Sequence, residues 1–205
     1  MKVLNLRTKI ASDLHDEVGS TLSSIALSAN FVSNKLQNQN ADIRQILGQI
    51  KKDSEETVHT IRDTVWALNP DNDSIENLIE KIRSFALQIL TAKEIKLNFD
   101  NKISEAKTFK ISVEQRKNLF LIIKESITNI AKHAEATEVK IAFERKKELL
   151  KINISDNGKG FDTQQLHEGN GLHNLQKRAK ESHFELKINS GKGKGTNIYV
   201  ETLTI

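Results

Sequence analysis

The single proline of this 205-residue chain, Pro70, separates two stretches that ask opposite things of the backbone. Between residues 2 and 66 there is no proline, and glycine occurs only at Gly19 and Gly48. Of the nine glycines, seven lie between positions 158 and 195. Proline cannot continue a helix interior, and glycine serves where a chain turns sharply or passes close to another group. The first stretch is therefore free to be helical throughout, whereas the last third must contain tight loops. Leu6, Ile10, Leu14, Val18, Leu22, Ile25, Ala29, Val32 and Leu36 step by three or four. That spacing predicts one amphipathic helix, roughly 50 Å long. Asn38, Gln39, Asn40 and Ala41 make a polar break, and Asp42 is placed to cap the next helix. Ile43, Leu47, Ile50, Val58, Ile61, Val65 and Leu68 recur at similar spacing, interrupted between Ile50 and Val58, until Asn69 and Pro70 stop the run. Two such helices form a hairpin with too little to bury alone. Two copies make a four-helix bundle, so a homodimer is expected.

Beyond the proline, residues 74–92 read as a connecting helix with Ile75, Leu78, Ile79, Ile82, Phe85, Leu87 and Ile89 apolar. From about Lys93 the pattern alternates between periods of two and 3.6. Strands are expected at 95–99, 138–143, 149–155, 184–189 and 197–203, and helices at 113–134 and 171–182. Strands with helices grouped on one face make an α/β sandwich. The expected domains are a helical hairpin over 1–69, a hinge and connecting helix over 70–92, and an α/β domain over 93–205.

The second part also carries the chemistry. In the 113–134 helix, Glu125, Asn129 and His133 recur every four residues and share one face. Leu119, Ile123, Ile127, Ile130 and Ala134 form the apolar stripe beside them. Alternation along 149–155 puts Asp156 on the face of Ile152 and Ile154, so its carboxylate points towards the core side of a sheet. With no basic neighbour, such a group needs a partner in its pocket. Gly158 and Gly160 then let the chain turn. Gly169, Asn170, Gly171 and Leu172 open the next helix, whose first backbone amides can face phosphates. Gly191, Gly193, Gly195 and Thr196 form the loop between the last two strands. Each feature alone reads as a surface amide, a turn or a hairpin. Four in order over about 75 residues are rarely reproduced by an unrelated chain. On the first helix, His15 lies beside the apolar stripe among Asp13, Asp16 and Glu17. Carboxylates there favour its proton, and one that held Nδ1–H would leave Nε2 as a nucleophile of defined tautomer.

These segments resemble the N-box and the three glycine boxes of the GHKL ATP-binding fold, shared by histidine kinases, gyrase-type ATPases and Hsp90-type chaperones. The run from Ala11 to Gly19 resembles the H-box of the sensor histidine kinases of two-component systems in which the phospho-accepting His is followed by Asp. The exit Trp66, Ala67, Leu68, Asn69, Pro70 is similar to that subfamily too. The resemblance implies a homodimer that autophosphorylates His15 from Mg-ATP and passes the phosphoryl group to an aspartate of a response regulator. It implies that Asp16 orients His15 or takes its proton, and that Glu125 bonds the attacking group or a metal-bound water. Asn129 would hold Mg2+, for which an amide oxygen is a suitable hard ligand. Lys132 and His133 would assist at the phosphates, and Asp156 would accept a hydrogen bond from the adenine amine. Gly158, Gly160, Gly169, Gly171, Leu172, Gly193, Gly195 and Thr196 would complete the nucleotide site. One departure bears on function: Ser20 stands where many relatives carry Gln five residues after the histidine, which implies weak phosphatase activity.

Composition narrows the field. A net charge of +4 spread among 27 acidic residues speaks for a solvated surface rather than nucleic-acid binding. The absence of cysteine rules out disulfide staples and thiolate metal sites. No apolar run is long enough to span a bilayer. The expected location is the cytoplasm, as the cytosolic part of a sensor whose input region and any membrane anchor would precede residue 1. A GHKL ATPase or serine kinase of the anti-sigma type would leave the hairpin unexplained. A degenerate, non-enzymatic dimer module would leave Asn129 and Asp156 intact without reason.

Overall fold

The computed structural model describes residues 14–35, 41–103, 111–162 and 170–203. The chain forms two compact units, Met1–Asn72 and Asp73–Ile205.

The first unit begins with a π-helical segment, Leu14–Gly19, followed by α1, Ser20–Lys35, and α2, Ala41–Leu68. The one continuous α-helix expected here is thus interrupted: the backbone of His15 and Asp16 lies in the wider turn. At its end the Ser23 hydroxyl donates back to the Gly19 carbonyl, four residues earlier, at 2.8 Å. Leu6, Ile10 and Leu36, and the polar break at 38–40, lie outside the described residues. α1 and α2 pack on one another through small side chains: Ala26, Ala29, Val58 and Ala67 are buried, with Ser54 and Asp63 among them. Val18 in the π-helical segment, Ile25 and Val32 on α1, and Ile43, Ile46 and Ile50 on α2, stay exposed. A 3-10 turn, Pro70–Asn72, ends the unit. There Asn72 Nδ2 donates to the Trp66 carbonyl at 2.9 Å, and the Asp71 N–H donates to Asn69 Oδ1 at 3.0 Å.

The second unit contains α3, Ile75–Thr91; β1, Lys96–Asn101; α4, Val113–Asn129; β2, Glu138–Lys146; β3, Leu149–Asp156; α5, Asn170–Glu181; β4, Glu185–Ser190; and β5, Thr196–Leu203. All five expected strands form, in the order β1-β2-β3-β5-β4. β1 runs parallel to β2, and the other pairs are antiparallel. Val139, Ile141 and Phe143, then Leu150, Ile152 and Ile154, then Ile198 and Val200, bury one face. The helix expected to connect the two regions belongs to this unit. Its stripe, Ile75, Leu78, Ile79, Ile82, Ala86 and Leu90, is buried, and α3 packs on α4 and β1. Leu87, also expected to be apolar contact, is exposed. Ser74 caps α3 by accepting from Asn77 N at 3.2 Å. Ser112 and Gln115 form a reciprocal capping box at the start of α4. Between these two caps, the buried Arg116 reaches Asp73 Oδ1 with Nη2 at 2.7 Å.

Candidate nucleotide site

The periodic polar line of α4 ends at Asn129, where the helix widens into a π-helical turn, Ile130–Ala134. The expectation of an uninterrupted α-helix to residue 134 is corrected by that turn. Glu135 leaves it in the left-handed conformation, with φ of 54°. The loop after β3 then fastens to this helix end. Asn157 Oδ1 accepts from the Thr137 and Glu138 backbones at 2.9 and 3.0 Å, and its Nδ2 donates to Thr137 Oγ1 at 2.8 Å. Lys159 N donates to the Ala134 carbonyl at 2.8 Å. A Cβ at Gly158 would collide with that same carbonyl, so only glycine lets the two segments approach. From the other side, Gly193 N donates to the Lys159 carbonyl at 2.6 Å.

These contacts enclose a cavity of about 370 Å3. Asn129, His133, Asp156, Gly160, Gly171, Leu172 and Thr196 line it, as expected from sequence to lie together. Gly158 and Gly195 sit behind the wall. Gly195, at φ of 68°, packs against the Asp156 carbonyl so closely that a side chain would not fit. Glu125 does not line the cavity, but its Oε1 lies against Gly171, where α5 begins. Lys132 and Gly193 are exposed and away from the lining, and Gly169 lies outside the described residues. The cavity also holds side chains that sequence reasoning passed over: Ser126, Lys159, Phe161, Leu175 and Ile198. Ser126 is fully buried, and its hydroxyl donates to the Ile122 carbonyl at 2.8 Å. Asp16 and His15 belong to the other unit.

Asp156 is the electrostatic centre of the cavity. It ends β3 opposite Thr196 of β5, among Ile152 and Ile154 of its own face. Oδ1 accepts from Gly158 N at 2.8 Å, while the buried Oδ2 has no hydrogen-bond partner among the described residues. Burial raises the carboxyl pKa above its ordinary 3.8, and bonds from Gly158 and Thr196 pull it only partly back. A buried carboxylate oxygen left open in a mostly apolar cavity calls for an N–H donor on whatever enters. The exocyclic amine of adenine has that character. The donor set therefore fits a nucleotide whose base enters at Asp156.

Two family models match the chain. Residues 7–73 match a histidine kinase model. Residues 114–204 match the histidine kinase-, DNA gyrase B- and HSP90-like ATPase model. The chain belongs to the histidine kinases. Among its relatives, the sensor histidine kinase LiaS of Bacillus subtilis is 25% identical over 95% of this chain and 53% of its own length. The sensor protein VraS of Staphylococcus haemolyticus is 29% identical over 96% of this chain and 55% of its own. The chain thus spans about half the length of the relatives it matches. The histidine kinase domain of a blue-light activated histidine kinase from Erythrobacter litoralis shares the fold, with a TM-score of 0.58 and 16% identity over 90% of this chain and 94% of that one. The second unit of the chain is an ATP-binding domain of the GHKL fold, and no helix among the described residues is long and apolar enough to cross a membrane.

Proposed function

We propose that this chain is the kinase region of a two-component sensor, which autophosphorylates His15 from Mg-ATP as a homodimer and passes the group to an aspartate of a response regulator. The open Oδ2 of Asp156, buried in a cavity that Asn129 also lines, carries the reading. It matches the one hydrogen-bond donor that distinguishes adenine's edge. Asn129, at the far end of the cavity-lining helix face, is the amide that would hold Mg2+. His133 lines the same wall and would stand near the phosphates, with Lys132 exposed beside it. ATP, when bound, supplies the transferable phosphoryl group. The protein's part is to hold, orient and neutralise charge. Glu125, against the start of α5, would orient the attacking group or a metal-bound water.

The remaining roles fall to the hairpin. His15 would accept the phosphoryl group on the ring nitrogen that carries no proton, while Asp16 holds the proton on the other. Residues 1–69 would serve dimerisation and phosphotransfer, and residues 93–205 nucleotide binding, with Pro70 at the hinge. The exposed Ile25, Val32, Ile43, Ile46 and Ile50 support a second copy as the partner that covers them.

The test is incubation with γ-labelled ATP and Mg2+. Label that is lost in acid and kept in alkali, and absent from His15→Gln while that variant still binds ATP, is the expected result. Acid-stable label, or acid-labile label retained by His15→Gln, would overturn the assignment.

A further inference from the structure

Asn118, Ile122, Glu125 and Asn129 are spaced by four, three and four residues, so they share one face of α4. α5 packs on this helix. It begins at the Asn129 end, where a Cβ on Gly171 would stand 2.7 Å from Glu125 Oε1 and 3.6 Å from Asn129 Nδ2. It stops at the Asn118 end, where Asn118 Nδ2 donates to the hydroxyl oxygen of Ser182, the residue after α5, at 2.8 Å. α5 is thus antiparallel to α4, with both its ends on one line of that helix. Asn118 and Ser182 are each only 4% exposed, so water does not compete for the bond between them.

Leu175 and Ala179, the buried side chains of α5, give apolar contact, which is non-directional and tolerates a small slide along the axis. The Asn118–Ser182 bond is directional. A slide that broke it would leave an amide proton and a hydroxyl oxygen buried and unpaired. The chain beyond Ser182 is fastened too: His183 is left-handed, with φ of 56°, and Phe184 N donates to the Ala179 carbonyl at 2.8 Å. From Gly171 to Ser182 the helix is a rod about 16 Å long. Its first turn therefore takes the axial position that is fixed at its far end.

We propose that Asn118 is a positioning residue for the phosphate end of the nucleotide site: by pinning Ser182 it sets how far the first turn of α5, with Gly171 and Leu172 in the cavity wall, stands from Asn129. The first backbone N–H groups of a helix have no partner within it and are the donors a phosphate can use. Asn118 does not line the cavity, so it acts through α5 alone. The inference rests on the nucleotide reading of the cavity given above.

The test compares binding of Mg-ATP with binding of adenosine, which carries the base and sugar but no phosphate, to the full chain by calorimetry. Removing one partner alone would strand the other in the core. The variant is therefore the double Asn118→Leu/Ser182→Ala, which removes both and is near neutral for folding. Its ATP affinity should fall about three- to tenfold, the scale of one weakened hydrogen bond to a charged group, while adenosine binds as to wild type. Equal loss for both ligands would make the pair merely structural, and no loss would show that the apolar contacts alone hold α5. Either result overturns the proposal. Asp156→Asn separates the two levels, since it should weaken ATP and adenosine by the same factor. If it does, and the double variant keeps the wild-type ratio, only the Asn118 proposal fails. If it leaves both affinities unchanged, the nucleotide reading fails first.

Discussion

The hairpin and the sheet unit solve burial in different ways. In the sheet unit, Leu119, Ile123, Ile127, Ile141 and Ile152 are wholly removed from solvent. In the hairpin the buried apolar side chains are mostly alanines, while Ile46 remains 59% exposed and Ile25 42%. Apolar burial scales with area, so alanines contribute little and branched side chains left in water contribute nothing. The sheet unit is therefore complete as a single chain. The hairpin becomes complete only when its exposed stripe is covered. The nucleotide site is built on the self-sufficient part, and the proposed phosphoacceptor on the part that leaves its apolar stripe exposed.

The largest expected effect tests that contrast at its root. Ile127→Ala removes a fully buried side chain from α4 and should cost the sheet unit about 2–5 kcal/mol. Ile46→Ala, on the exposed stripe, should cost a monomeric hairpin under about 0.5 kcal/mol. Urea unfolding at low protein concentration reads both. Comparable losses would show that the hairpin core is larger than its alanines suggest.

Next in size is the site itself. Asp156→Asn should weaken ATP by roughly 1.5–3 kcal/mol, the scale of a hydrogen bond to a charged group, and leave self-association unchanged. The pH dependence has a definite sign. Burial raises the folded-state pKa of Asp156 above 3.8. The folded unit then binds the proton more readily than the unfolded chain does, so this group's contribution to stability is lost as pH rises through the window from 3.8 to the raised value. ATP needs the ionised form, so affinity should fall on acidification at a pH above the ordinary aspartate range. Calorimetric titration against pH would show this, and the profile should flatten in Asp156→Asn. A wild-type midpoint at or below 3.8 would count against a buried, open carboxylate.

The third effect sharpens the other side of the comparison. Ile46→Asp puts a charge into the exposed stripe of α2 and should weaken self-association by about 2 kcal/mol, roughly 30-fold. Sedimentation would detect the shift to monomer, and ATP affinity should stay at the wild-type value. A variant that still sediments as wild type would move the dimer contact away from this stripe.

The two regions also differed in how readable they were. The five strands follow from alternation because one face is buried and the other is not, as in Leu150, Ile152, Ile154 and Asp156. The same alternation was enough to aim Asp156 inward. The two π-helical turns were not readable, because one extra residue per turn barely alters a stripe of four or five apolar positions. Ile130 and Ala134 fit either winding. The host of α3 was also hidden: its apolar stripe is plain in Ile75, Leu78 and Ile82, but a stripe does not say what it packs on. Ser126 and Arg116 read as surface residues by type, yet both are buried, one bonded back to Ile122 and the other tied to Asp73.

The smallest effect asks whether the two regions are separate at all. Ser112 caps α4: its Oγ accepts from Gln115 N at 3.1 Å, and Gln115 Oε1 accepts from Ser112 N at 2.9 Å. Ser112→Ala removes one half of that box and should cost about 1 kcal/mol. The cap sits at the opposite end of α4 from Asn129, with the buried residues from Leu119 to Ile127 holding the helix between them. Nucleotide affinity should therefore be unchanged, because the cap acts on the unfolding equilibrium and not on the geometry of the cavity. So small a loss is useful for its address. If the units unfold independently, hydrogen exchange should speed up across α4 and the sheet while amides of α1 and α2 keep their wild-type rates. Faster exchange in the hairpin as well would mean that the two units open as one, and that the dependence on a partner reaches into the nucleotide-binding half of the chain.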